Sequence, residues 1–547
     1  MKFPSRYFFF AGCVFTAAAS LLLALLTASI LCWVLAVAAG ALSLVGVVDL
    51  FQTRHAIRRN YPILSHIRFF LEFVRPEIRQ YFLENDTEQV PFSRVQRSIV
   101  YSRAKDMEDK RPFGTQLDVY EACHEWINHS IMPSRIESHD FRIQVGSADC
   151  TKPYSASVFN ISAMSYGALS PPAILALNAG AQRGGFFHDT GEGSISAYHR
   201  EHGGDLVWQI GSGYFGCRNH DGAFDSGRFA ENATSDQVRM IELKLSQGAK
   251  PGHGGVLPGA KVNAAIAEAR GVPLGEDCIS PASHSSFRTP MELLEFLARL
   301  RELSGGKPTG FKLAIGHPWE WFGIVKAMIK SGISPDFVVV DGAEGGTGAA
   351  PLEFSDHVGA PLKEALLLVH NTLVGVGLRG EIRIGAAGKI VTAFDIARAC
   401  ALGADWCNAA RGFMFALGCI HSQTCHTGHC PTGVTTQDPS RYRALVPEDK
   451  ATRVWRFHQN TLHALQELLS AAGLTHPDEL GPEHLVRRIS STEIRSLAAL
   501  HDWVRPNELR KGVVPDIPVF DVFWDLASAD TFDAPPSVLA MRTTKMR

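Results

Sequence analysis

Charge disappears from the chain between residues 7 and 48, where no Asp, Glu, Lys or Arg interrupts a run of apolar and small residues. A helix needs about 20 such residues to cross the hydrocarbon core of a bilayer, and the polar weak point at 27–29 divides the run into two crossings. The pattern predicts a transmembrane helical hairpin over 1–51. Lys2 and Arg6 flank its start, and Arg54, Arg58 and Arg59 its end. The positive-inside rule then keeps both ends, and the large remainder of the chain, on the cytoplasmic side of an inner membrane. A signal peptide competes with this reading, because Lys2 and Arg6 form a basic segment and 17–20 offers small residues for cleavage. Even then, 30–48 remains as an anchor.

From residue 158 the hydrophobic period alternates. Short β-branched or aromatic runs at 158–162, 206–210, 240–245, 310–314, 336–340, 381–384 and 406–409 read as strands, with a weaker one near Cys278. Between them, 171–183, 261–270, 290–303, 319–330, 361–376 and 391–402 carry helical patterns, several opened by Pro. Nearly eight βα units favour a closed (β/α)8 TIM barrel over an open doubly wound sheet. Glycine clusters follow the strands at 165–167, 211–216, 342–348 and 385–388, where such a barrel builds its active site. The barrel is assigned to 151–440. Residues 52–150 read as a mixed, mostly helical preface, and 441–547 as a helical extension that begins with one long helix over 447–474.

Composition narrows the function. The 547 residues leave room for about two to four domains, and 53 basic against 55 acidic residues, a formal charge of -2, give no basic face for nucleic acid. Eleven cysteines are unevenly spread, and the densest group sits on one short loop. That distribution suits a metal site in a reducing compartment better than a disulfide framework.

The loop is GCIHSQTCHTGHCPTGVTTQ, with Cys419, Cys425 and Cys430 inside twelve residues. Thiolates suit iron-sulfur clusters or zinc, and Pro431 after the last Cys is common where clusters bind. Three thiolates without a fourth favour a three-iron cluster. His421, His426 and His429 keep a Cys/His zinc site open. Residues 211–216 formally match G-x-G-x-x-G, but the polar, glycine-broken sequence that follows is no dinucleotide-binding helix. Gly345–Gly348 and the 385–388 segment would let backbone amides approach a flavin phosphate, or are simply tight turns. Lys250 lies in a glycine-rich loop with Arg270 one helix further on. The two could clamp a dicarboxylate, or be a solvated Lys and an Arg stabilising a helix end. Glu192, between two glycines, could contact substrate or relay protons.

Taken together, MSYGALSP, DTGEGS, QGAKPG followed by LPGAKV, ISP, GGTGAAPL, ALGCI and CPTGV, in this order from 159 to 437, resemble the FMN-binding synthase domain of the glutamate synthase large subunit. The resemblance implies an FMN site in the barrel and a 3Fe-4S cluster on a C-x5-C-x4-C loop that passes electrons to it. Reduced flavin would then deliver hydride to 2-iminoglutarate, formed from 2-oxoglutarate and ammonia. Residue by residue, it implies cluster ligation by Cys419, Cys425 and Cys430, and carboxylate binding by Lys250 and Arg270. It also implies an acidic residue beside the reacting centre at Glu192, and a flavin-facing cation at Lys312. Ser165, Gly167, Gly346, Thr347, Gly388 and Gly412 are the implied FMN contacts.

The departures are specific. Val256 stands where the family carries a Gln that helps bind 2-oxoglutarate, His253 replaces a Glu, and the phosphate loop reads Gly385-Ala386-Ala387-Gly388-Lys389 in place of Asp-Gly-Gly. Another 2-oxo acid, or an amine in place of ammonia, is the substrate alternative. Neither the family's amidotransferase domain nor its β-helix is expected here. Ammonia would arrive free or from a separate glutaminase, and a ferredoxin or a separate reductase would donate electrons. An inactive barrel serving as a membrane-tethered redox sensor or scaffold is the rival class.

Overall fold

A computed structural model describes residues 4–85, 91–108, 110 and 112–538; Lys2, used above to orient the hairpin, lies outside them. The chain forms two compact units that divide at Arg94. In the first, helices Phe8–Thr27 and Ile30–Phe51, of 20 and 22 residues, are each long and apolar enough to cross a membrane. Ala28 takes the left-handed conformation at φ 50° and turns the chain between them. Gly46 lets the pair close, since a Cβ there would sit 2.3 Å from the ring of Phe10. The first unit continues with helices Ala56–Asn60 and Leu64–Ile78 and a π turn at Arg79–Leu83.

The second unit is built on a closed barrel of eight parallel strands: β1 (Phe159–Ile161), β2 (His188–Asp189), β3 (Leu206–Ile210), β4 (Val238–Lys244), β5 (Thr309–Leu313), β6 (Phe337–Asp341), β7 (Arg383–Ala387) and β8 (Trp406–Ala409). Closure is made by β8 against β1, with Cys407 opposite Phe159 and Ala409 opposite Ile161. Most of these residues are buried on both faces, as expected for strands enclosed by a helical ring. Seven strands coincide with the runs read from the sequence. The eighth does not: Cys278–Ser280 pairs antiparallel with Gly255–Leu257 in a hairpin outside the barrel. The missing strand is β2, two residues long and too short to show any period. Gly385 also belongs to the sheet rather than to the loop after it. A Cβ there would lie 2.6 Å from the indole of Trp406, so this glycine makes room for the neighbouring strand's ring.

Helix Pro447–Ala472 packs along Pro171–Gly184, the helix after β1, where Gly180 admits Val454 to a distance no Cβ would allow. Glu125–Ile127, Leu485–Arg488 and Ile494–Ser496 make a small antiparallel sheet that joins the preface to the extension. Glu125 anchors it. Its carboxylate meets Lys363 Nζ at 3.0 Å, Arg398 Nη1 at 3.0 Å and Arg487 Nε at 2.8 Å, so it holds the helices after β6 and β7 as well.

Candidate active site at the carboxyl end of the barrel

Five consecutive strands each place one polar side chain inside the barrel: Asp189 (β2), Gln209 (β3), Glu242 (β4), Lys312 (β5) and Asp341 (β6), all nearly or fully buried. Gln209 Nε2 donates to Glu242 Oε1 at 2.6 Å, Asp189 and Glu242 share a side-chain hydrogen bond, and Lys312 Nζ lies 3.4 Å from Asp341 Oδ2. Burial alone would strip the charge from Lys312; Asp341, Glu242 and Asp189 outweigh it and hold the ammonium charged. Burial also pushes Asp189 and Glu242 upward, against the pull of Lys312. Both carboxyls therefore hold a proton more readily than free ones.

Above this layer, at the mouth, Glu192 Oε1 pairs with Lys244 Nζ at 2.9 Å. Burial would raise the Glu192 carboxyl, but Lys244, then Arg270 and Lys250, hold it below its ordinary range. Lys250 is half-buried, and its own pKa is lowered first by burial, against Glu192. Arg270 is buried rather than solvated: Nη2 donates to Tyr166 O at 3.0 Å, Nη1 reaches Cys278 Sγ at 3.4 Å, and the guanidinium lies 5.1 Å from the Phe215 ring centroid. Gly191, at φ 66°, and Gly193 let the Glu192 loop nest against Ser165, whose Oγ accepts the Gly193 N–H at 3.1 Å. Gly167, at φ 103°, brings its backbone beside Arg270 Nη2 and Leu257. Glu192, Lys250, Arg270, Ser165 and Gly167 thus form one cluster. Val256 does not join it. Gly255 faces Glu192 and Leu257 faces Gly167, so strand alternation turns Val256 outward, 59% exposed.

On the other side of the mouth, Arg411 opens the helix after β8 and ties two loops together. Nη2 donates to Thr347 O at 2.6 Å and Nη1 lies 3.8 Å from Cys425 Sγ. A Cβ on Gly346 would come within 3.0 Å of Arg411 Nε, so the glycine permits this approach. Gly388 follows β7 at φ 152°. Gly412 packs against Phe457, at 3.3 Å from a notional Cβ. Cys419, Cys425 and Cys430 share one electrostatic environment, each of the other two raising Cys419. Burial pushes Cys419 to about 11, whereas hydrogen bonds from Thr432 and Thr435 outweigh burial at Cys430 and lower it. His421 and Gln423, at φ 63° and 57°, hold this loop in a conformation L residues seldom adopt, a kind of strain that gathers at functional sites. Among the described residues, no group of three or more His, Cys, Asp or Glu is gathered closely enough to hold a metal ion.

Sequence reasoning passed over Lys244, Asp341 and Arg411. Each ends or directly follows a barrel strand, which was the available signal. Three buried polar atoms around the mouth lack a hydrogen-bond partner among the described residues: Arg270 Nε, Asn408 Oδ1 and Gln437 Oε1. They leave donors and acceptors for a polar ligand, and with the charged Lys312 they fit a flavin. The Cys430 thiol, lowered by Thr432 and Thr435, and the Cys425 thiol beside Arg411 suit thiolate ligation of a cluster.

A closed parallel barrel with ionic and glycine-lined loops at its carboxyl ends is the architecture of a barrel enzyme. A family model described as the conserved region in glutamate synthase matches residues 115–475. The glutamate synthase large subunit-like protein YerD of Bacillus subtilis is 37% identical over 495 residues, spanning 83% of this chain and 94% of that protein. The archaeal-type glutamate synthase (NADPH) of Thermotoga neapolitana is 37% identical over 319 residues, 58% of this chain and 60% of that protein. Among solved structures, the recombinant flavin-binding domain of baker's yeast flavocytochrome b2 aligns over 82% of this chain and 91% of its own, at 11% identity and a TM-score of 0.39. The chain belongs to the glutamate synthase family.

Proposed function

We propose that the chain is a membrane-anchored, FMN-dependent oxidoreductase that reduces the imine of 2-oxoglutarate to L-glutamate. The observation that carries this reading is the convergence of Lys244, Lys250 and Arg270 on Glu192 at the barrel mouth, above the charged Lys312. Lys250 and Arg270 hold the two carboxylates of the oxo acid, the Arg with a fork and the Lys with a point charge. Glu192, kept ionised by Lys244, is the group positioned to exchange a proton with the substrate nitrogen at its Oε atoms. Ser165, Gly167, Lys312, Gly346, Thr347, Gly388 and Gly412 hold FMN, and Cys419, Cys425 and Cys430 hold a 3Fe-4S cluster. When bound, the flavin supplies hydride and the cluster supplies single electrons. Electrons come from a ferredoxin or a separate reductase, and nitrogen comes as ammonia, free or from a separate glutaminase. The hairpin fixes the enzyme to the inner membrane, with the barrel in the cytoplasm.

Anaerobic purification tests the cofactors. A flavin absorbance spectrum, and a 3Fe-4S signal in low-temperature EPR of the oxidised protein, are expected. Glutamate should form from 2-oxoglutarate and ammonium when the enzyme is supplied with reduced ferredoxin. Protein without flavin overturns the reading. Turnover only with another oxo acid, or only with an amine, replaces the substrate and keeps the cofactors.

A further inference from the structure

Helix Leu64–Ile78 and the π turn after it expose apolar side chains that nothing in the first unit covers. Ile67, Phe70, Leu71, Phe73, Phe82 and Leu83 are each more than half exposed. Ile67, Phe70, Leu71, Val74 and Ile78 fall at i, i+3, i+4, i+7 and i+11, a single stripe along an α-helix. One position on, Arg68, Glu72, Arg75 and Arg79 repeat the same spacing, about 100° round the helix. The opposite side carries the exposed Phe73 but is occupied nearer the helix start. The helix is pinned to the end of the hairpin by Asp49, whose carboxylate accepts the Ile63 N–H at 3.0 Å and lies 2.9 Å from His66 Nε2. Phe69 packs into the same elbow, with its ring centroid 5.5 Å from His55 and 4.9 Å from the Arg58 guanidinium. The apolar stripe is thus turned away from the elbow.

We propose that Leu64–Leu83 is an interfacial helix that lies on an anionic lipid surface, the cytoplasmic leaflet of the membrane that the hairpin crosses. The inference rests on the hairpin reading and goes beyond it, since the hairpin needs no such helix to span. Two observations select lipid over a protein partner. The apolar stripe continues directly from a membrane-crossing helix through the ionic elbow at Asp49. The segment 52–85 also carries six Arg against three Glu, with no Lys or Asp, a balance that complements acidic headgroups. An amphipathic helix with arginines beside its apolar face buries that face among acyl chains while the guanidinium groups stay with the phosphates.

Photo-crosslinking of the full chain in nanodiscs of phosphatidylcholine and phosphatidylglycerol tests it, with p-benzoylphenylalanine replacing Phe70 in one variant and Leu26, on the hairpin, in another. Lipid adducts at both positions are expected. Reversing Arg68 and Arg75 to Glu should cut the adduct yield at position 70 at least about fivefold. A lipid adduct at 26 with only peptide adducts at 70 overturns the proposal in favour of a protein partner and leaves the hairpin intact. Adducts at neither position overturn the hairpin reading together with it. An unchanged yield in the charge-reversed chain overturns the part assigned to the arginines.

Discussion

Replacing Glu125 with Gln removes one negative charge from among three cations without changing the size of the side chain. The Glu125 carboxyl is buried, which by itself would raise its pKa, but Arg398, Lys363 and Arg487 bring it from 4.5 down to about 2. A tenfold change in proton affinity is worth about 1.4 kcal/mol, so the ionised carboxylate contributes about 3 kcal/mol. Because the folded pKa lies below the unfolded one, this stability is complete above about pH 4.5 and is lost as pH falls toward about 2. The sheet that Glu125 anchors reports it directly. Arg488 N–H donates to His124 O at 2.9 Å and Asn128 N–H to His484 O at 2.8 Å, and both bonds break when the sheet opens. Native-state hydrogen exchange at these amides, taken as the ratio of Glu125→Gln to wild type so that intrinsic chemistry cancels, should show about a hundredfold faster exchange near pH 6. The ratio should narrow to about tenfold near pH 3, where the wild-type carboxylate is itself losing its advantage. Equal exchange in the two proteins, or a ratio that stays constant over that range, refutes the electrostatic account.

Other changes probe the mouth. Lys312→Met removes the cation that Asp341, Glu242 and Asp189 surround; the flavin midpoint potential should fall and turnover drop at least about tenfold, by spectroelectrochemistry and glutamate assay. Arg411→Gln removes the guanidinium beside Cys425 Sγ, so the cluster potential should fall by about 60 mV, a tenfold change for one electron, in an EPR-monitored titration, with Arg411→Lys recovering part of it. Lys250→Ala should raise KM for the oxo acid about tenfold or more and leave the flavin spectrum unchanged. Gly248→Ala forces a Cβ to within 1.8 Å of Gly342 O, so the two loops must part, and faster flavin release by fluorescence is expected.

The barrel was legible where its strands are long. β3 and β8 match their sequence runs end to end, because Leu206–Ile210 and Trp406–Ala409 are continuous stretches of buried or β-forming side chains. β2 was not legible. His188 and Asp189 are a polar pair, stabilised as strand only by β1 and β3 on either side, a tertiary effect with no local trace. Cys278–Ser280 misled for the converse reason: its side chains suit a strand, and it is one, but its partner is Gly255–Leu257. Among site residues, the glycine-framed Glu192 and the clustered cysteines carry local signatures. Lys244 and Arg411 carry none apart from their places at strand ends, and their partners lie 52 and 64 positions away in Glu192 and Thr347.

The layer beneath the mouth shows why such residues escape a linear reading and why they bear on chemistry. Asp189, Glu242, Lys312 and Asp341 span five strands, and none has its partner close by in sequence. A barrel makes them neighbours by geometry: the register sets Lys312 opposite Val339 of β6, and Asp341, two residues further along that strand, lies 3.4 Å from Lys312 Nζ. Three carboxylates around one ammonium would leave the interior strongly negative, which a low-dielectric site does not sustain. The upward shift of Asp189 and Glu242 lessens that charge, while Asp341, Glu242 and Asp189 strengthen the charge on Lys312. A fixed cation under a mouth that gathers Lys244, Lys250 and Arg270 favours electron-rich ligands over neutral ones. The same arrangement separates the two layers: Lys244, Arg270 and Lys250 hold the Glu192 carboxyl below its ordinary range at the mouth, while burial pushes Asp189 and Glu242 upward in the layer beneath.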